Sequence, residues 1–163
     1  MKAITLWRPW DQTFFLEDEA LRKTVENRSW APPRTIRGEL LALHAGLKWD
    51  QRGADAIEQI TGITYRKEDS EPGVAVGVVR VVGWITRGGL FGLTYNWTHP
   101  GDYEPLIYDA AHSRWFFGPN GWVTAEPYRL PTPVPCEGAQ GLWELPPDVD
   151  AEVQRQMREA RGL

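Results

Sequence analysis

The run from Gly73 to Ile85 constrains this chain most. Val74, Val76, Val78, Val79, Val81, Val82, Trp84 and Ile85 are β-branched or aromatic, which suits a pleated strand better than a helix. Apolar residues fall on both alternating faces, so the strand is expected to be central and buried. A central strand needs neighbours to satisfy its backbone. Lys2–Trp7, Gly38–Ala45, Trp122–Ala125 and Gly141–Leu145 read as those shorter strands. With 163 residues and 42% hydrophobic content, the chain is long enough for one domain with a real core.

Between the strands, three stretches read as helices. Trp10–Leu16 has Pro9 near its first turn. Asp50–Ile60 has Ala54, Ile57 and Ile60 at helical spacing and Gly62 as a stop. Asp148–Arg161 places acids early and arginines late, as the helix dipole favours. Arg87–Asp109 is rich in Gly, Tyr, Trp and Pro without a period, and is expected to be a long functional or covering loop with room for one short helix. Asn120-Gly121 is a hairpin signal between Trp115-Phe116-Phe117 and Trp122–Ala125. Tyr128–Pro135 carries three prolines and suits an edge strand or extended connection. The regular strand–helix alternation of a parallel α/β fold is missing. The expected fold is therefore a compact, barrel-like α+β domain over residues 1–146, with residues 147–163 as a C-terminal helix packed on it or extending from it.

Several function classes are disfavoured. Cys136 is the only cysteine, so neither a disulfide framework nor a cysteine metal site is expected. His44, His99 and His112 fall in no metal-binding spacing, and phosphate-cradling glycine loops and nucleophile-elbow motifs do not occur. No cofactor or metal is expected. Met1–Trp10 lacks a signal-peptide core and no apolar run reaches membrane length, so a cytoplasmic monomer without membrane contact is expected. Net charge is −4, which disfavours non-specific coating of duplex DNA. Yet Arg22–Arg37 holds five basic residues and one acid, Glu26. A basic patch on an acidic body suits a short or single-stranded polyanion, and also suits an ordinary solvated face.

That patch contains Arg22-Lys23-Thr24-Val25-Glu26-Asn27-Arg28. If extended, it presents Thr24, Glu26 and Arg28 on one face and Lys23, Val25 and Asn27 on the other. Lysine offers a mobile point charge, arginine a planar fork for phosphate or a base edge, and glutamate an acceptor for a base amine. A structural ion pair at a sheet edge is the plainer alternative. Trp7-Arg8-Pro9-Trp10 offers a stacking wall and a cation, or else core tryptophans with a snorkelling arginine. His44 ends an apolar strand, where histidine is more often a hydrogen-bonded core residue than a catalyst. The nine tryptophans fit either core packing or base stacking.

Taken in order, Leu6-Trp7-Arg8-Pro9-Trp10, Lys23-Thr24-Val25-Glu26-Asn27-Arg28, Leu41-Ala42-Leu43-His44-Ala45-Gly46 and Gly77-Val78-Val79 resemble the ASCH domain family. Trp115–Pro119, Gly121-Trp122-Val123 and Pro133–Trp143 look like the C-terminal half of its bacterial and phage members. The resemblance implies a PUA-like β-barrel of five or six strands with flanking helices, and a cleft for RNA, single-stranded nucleic acid or a modified nucleotide. It implies ligand-binding roles for Trp7, Arg8, Trp10, Lys23, Glu26, Arg28 and His44. Some members resemble enzymes. An amidohydrolase on N4-acylated cytidine, or a metal-independent ribonuclease, would use the same cleft with Lys23, Glu26 and Thr24 as catalytic groups. The chain departs from the family at Leu21, where a glycine is usual, and at Glu26, where the amidohydrolase type carries threonine. A protein-interaction role for the aromatic stretch Leu90–Tyr108 is a further reading.

Overall fold

Alternating and doubly apolar stretches do become strands in the computed structural model, which describes residues 1–90 and 92–162. Phe91, in the expected long loop, and Leu163, at the end of the expected C-terminal segment, lie outside the described residues. The chain is mixed α+β. It divides into two compact units, one of Met1–Arg22, Leu41–Val78 and Pro127–Leu163, the other of Lys23–Leu40 and Val79–Glu126. No helix among the described residues is long and apolar enough to cross a membrane.

In the first unit, β1 (Lys2–Arg8) runs parallel to β3 (Leu40–Trp49), with Lys2 opposite Leu41 and Leu6 opposite Ala45. On its other side β1 pairs antiparallel with β7 (Trp143–Glu144). Ala3, Ile4, Leu41, Ala42 and Leu43 are buried and form the heart of this unit's core. Trp10–Phe15 is a 3₁₀ turn rather than the expected helix. The Thr13 hydroxyl donates to the Trp10 carbonyl at 2.7 Å, a local bond that competes with the helical ladder. α1 (Gln51–Thr61) starts on Asp50, whose carboxylate accepts from the Gly53 N–H at 2.9 Å, and stops on left-handed Gly62.

The proline-rich half of β6 (Asn120–Pro135) belongs to this unit and is held from outside the sheet. Thr132 lies between Pro131 and Pro133, which lack N–H donors. The Gln156 side-chain amide bonds both the Thr132 N–H, at 3.1 Å, and its carbonyl, at 2.9 Å. Gln156 sits on α3 (Pro147–Ala160), which buries Val149, Val153 and Met157 at helical spacing.

In the second unit, β2 (Val25–Arg28) pairs antiparallel with the first half of β6, setting Val25 against Val123, Glu26 against Trp122 and Arg28 against Asn120. β6 in turn neighbours β4 (Val74–Arg87), whose second half lies here. The doubly apolar reading of β4 is correct: Val79, Val81, Val82 and Ile85 are all buried. One expectation is corrected here: the stretch 87–109 is not a loop throughout but holds a strand, β5 (Leu93–Thr98), antiparallel to β4, and the short helix allowed for there is α2 (Glu104–Ala111). β5 escaped detection because Thr94, Tyr95 and Asn96 are all exposed, which leaves no alternation. α2 spans eight residues, the short helix that stretch had room for, though too short to show a clear period in the sequence.

Asn120-Gly121 makes no hairpin; both residues lie inside β6. The Asn120 side chain accepts from the Trp84 indole at 2.9 Å. Gly121 is a packing glycine: an added Cβ would lie within 2.9 Å of Ile85, Val25 and Phe116. Trp115–Phe117 is not a strand but a segment fastened by Asn27, which bonds the Trp115 carbonyl and the Phe117 and Gly118 N–H groups.

Candidate functional site

Lys23 enters the second unit just ahead of β2, and its side chain is only 5% exposed. Its Nζ lies 3.5 Å from Oε2 of Glu26. The other Glu26 oxygen, Oε1, lies 3.0 Å from Nε of Arg28. One buried carboxylate therefore bridges two cations. Strict alternation put Lys23 on the face opposite Glu26. The strand begins only at Val25, so Lys23 is free of that constraint and reaches the same carboxylate. Burial pushes the Lys23 ammonium below the ordinary lysine range; Glu26 opposes that shift, and Arg28 adds to it. Thr24 accepts from the Thr124 N–H through its carbonyl at 2.9 Å, which ties the entry of β2 to β6.

The remaining candidates, Trp7, Arg8, Trp10 and His44, belong to the first unit. Arg8 is buried, with Nε on the Gly46 carbonyl, Nη1 on Ser70 and Nη2 on Leu47, each at 2.9 Å. Its fork stitches the end of β1 to the end of β3 and to a surface loop. Trp10 donates from its indole to the Asp50 carboxylate at 2.9 Å, over Gly53, where a Cβ would strike the ring. Trp7 is 51% exposed and carries the Lys48 ammonium 3.3 Å from its ring centroid.

His44 is buried. Its Nε2 donates to the Cys136 carbonyl at 2.8 Å, and the Thr5 hydroxyl lies 3.3 Å from Nδ1. The Trp143 ring meets it edge-on at 5.4 Å. Burial lowers its pKa against the pull of the Cys136 carbonyl, so the neutral ring is favoured.

Two constellations were not singled out from the sequence. Asp11 is fully buried; its Oδ2 accepts from Gln12 at 2.7 Å, and its Oδ1 has no hydrogen-bond partner among the described residues. Burial raises its pKa against the pull of Gln12, Arg8 and Arg129. The only sequence signal was an acid inside an aromatic stretch, Trp10–Phe15. The second constellation is in the second unit. Trp84 and Trp97 are cross-strand partners on β4 and β5, and the Arg37 guanidinium lies 5.0 and 5.9 Å from their ring centroids. Finding it required knowing that 93–98 is a strand. Among the described residues, no three His, Cys, Asp or Glu side chains gather as a metal site.

Chemically, the Lys23–Glu26–Arg28 cluster can meet an anion with Lys23 and Arg28 and accept a base amine with Glu26. It can also hold a lysine amine poised for proton transfer. No family model matches the sequence, and no curated protein matches it.

Proposed function

We propose that the chain is a PUA-like domain of the ASCH type that captures a nucleotide, in RNA or another single strand, at the Lys23–Glu26–Arg28 cluster. The observation that carries this reading is the buried bridging of two cations by one carboxylate. Burying the Lys23 and Glu26 charges costs several kcal/mol per ion, on the order that a well-packed apolar cluster would avoid. A phosphate offers both cations of the cluster, Lys23 and Arg28, charge-assisted hydrogen bonds.

The charge distribution supports the reading. The second unit carries seven Lys/Arg against six Asp/Glu, so it contributes +1 to the net charge of −4, while the first unit contributes −5 with eleven against sixteen. An anionic ligand is drawn to the unit that holds the cluster. The mixed sheet with few helices is of the kind the sequence resemblance implies.

Fluorescence anisotropy with labelled short RNA and DNA tests it. Binding should weaken with salt, and Lys23→Met should lower affinity at least about tenfold, the share of one charge-assisted contact. Equal affinity for wild type, Lys23→Met and Arg28→Met, with folding checked by circular dichroism, would overturn it.

The burial-lowered pKa of Lys23 favours a second reading, hydrolysis of an N4-acylated cytidine with Lys23 as base and Glu26 as its proton partner. Chromatography of N4-acetylcytidine incubations for cytidine and acetate decides it; no turnover at high enzyme concentration removes it.

A further inference from the structure

Open sheet edges in this chain are guarded, and β5 is the exception. In the first unit, β7 is two residues long, and its Glu144 meets Lys2 at 2.7 Å across the β1–β7 ladder. The proline-rich half of β6 lacks N–H donors at Pro131, Pro133 and Pro135, and Gln156 occupies both backbone groups of Thr132. In the second unit, β2 carries the charges of Glu26 and Arg28, paired at 3.0 Å. Short strands, prolines and inward-pointing charges are devices that keep a sheet from pairing with another chain.

β5 pairs with β4 alone among the described residues, so one row of its backbone N–H and C=O groups has no strand beside it. Leu93-Thr94-Tyr95-Asn96-Trp97-Thr98 contains no charge and no proline, and Thr94, Tyr95 and Asn96 are exposed. Threonine, tyrosine and tryptophan all suit a pleated strand. One bulge interrupts it, at Asn96, where the register to β4 slips. The Asn96 amide folds back onto its own hairpin, 3.0 Å from the Thr86 hydroxyl and 3.4 Å from the Thr94 carbonyl. Leu93–Tyr95 stays in unbroken register with Arg87, Thr86 and Ile85.

We infer that β5 is a docking edge for a second copy of this chain, the two β5 strands pairing antiparallel about a two-fold axis. The composition of the strand selects that partner. A charged edge would set like charges against each other on pairing with itself, and β5 brings none to the seam. Its threonines and aromatics instead form favourable cross-strand pairs. The flanks are complementary as well. Antiparallel pairing turns the Arg87 end of one hairpin towards the end of the other that leads into Asp102 and Glu104, and all three residues are exposed. Parallel pairing would set like ends together. The sequence alone suggested a monomer; the unguarded edge makes a dimer. The inference is independent of the nucleotide reading, because β5 contributes no residue to the Lys23–Glu26–Arg28 cluster.

Sedimentation velocity of the full chain, from micromolar to millimolar protein, reads the monomer–dimer equilibrium. Wild type should pass from monomer to dimer across that range, and amide exchange within residues 93–98 should slow as the dimer forms. Thr94→Lys brings two like charges to one seam and should weaken the dimer at least about fivefold, whereas Thr94→Val, uncharged and β-branched, should leave it intact. Circular dichroism checks that each variant folds. A chain that stays monomeric at millimolar concentration overturns the inference. So does a dimer without slowed exchange at residues 93–98, or one that a folded Thr94→Lys leaves as strong as wild type. Should Thr94→Lys fail to fold, the exchange measured on wild type decides alone.

Discussion

The ammonium of Lys23 lies 3.5 Å from the carboxylate of Glu26, and both side chains are buried. Because the same carboxylate also meets Arg28, the three groups are energetically one unit. Removing Glu26 leaves the buried Lys23 ammonium and the half-buried Arg28 guanidinium without the carboxylate between them. Glu26→Gln should destabilise the fold by about 3–5 kcal/mol, whereas Lys23→Met, close in shape and without charge, should cost less than about 1.5 kcal/mol. Urea denaturation of both variants measures the asymmetry. Equal losses would mean that the cluster is not coupled through Glu26.

Lys23 also gives the protein a pH signature. Its folded pKa lies below the unfolded value of 10.5, so between the two values the unfolded chain binds more protons than the folded one. Below the folded pKa the penalty for burying the ammonium is complete. As pH rises through the folded pKa towards 10.5, stability is recovered. The stability gap between Lys23→Met and wild type should therefore move in favour of wild type as pH rises over that window. Denaturation curves at neutral pH and near pH 10 check the sign.

Asp11 has the opposite linkage. Its folded pKa is raised above 3.8, so its contribution is most favourable in acid and is lost as pH rises through the folded pKa. Asp11→Asn removes the ionisation while keeping the shape. Relative to wild type, the variant should gain stability between pH 4 and pH 7, by guanidinium denaturation at the two values. A constant difference across that range would show that Asp11 is not held neutral by burial.

Gln156 tests how the proline-rich half of β6 is held. Its amide supplies both hydrogen bonds to Thr132. Gln156→Leu fills the space and leaves a donor and an acceptor without partners, at a cost of about 1–3 kcal/mol. Faster amide exchange confined to residues 130–134 should accompany it.

Where the sequence was legible, a single physical signal dominated. The β-branched run of β4 and the Asp50 and Gly62 ends of α1 each announced themselves locally. β5 did not, because an edge strand with both faces wet has no pattern to show. Asn120-Gly121 misled because a turn dipeptide and a crowded strand crossing call for the same glycine, and only the packing of Val25, Ile85 and Phe116 separates them. The site was half legible. The charges of Lys23, Glu26 and Arg28 stood out together, but the bridging carboxylate depends on where β2 starts. The three carbonyls that hold Arg8 come from residues 46, 47 and 70, distant in sequence, and no spacing rule reveals them.

The most direct test of the central claim is nuclear magnetic resonance of the protein titrated with uridine monophosphate, with the Lys23 side-chain nitrogen and the backbone amides observed together. Nucleotide capture at the cluster predicts saturable shifts centred on residues 23–28 and a displaced Lys23 nitrogen signal that reports a raised pKa as the phosphate arrives. Saturable shifts that leave residues 23–28 and the Lys23 nitrogen unmoved, or no shifts at millimolar nucleotide, would contradict it.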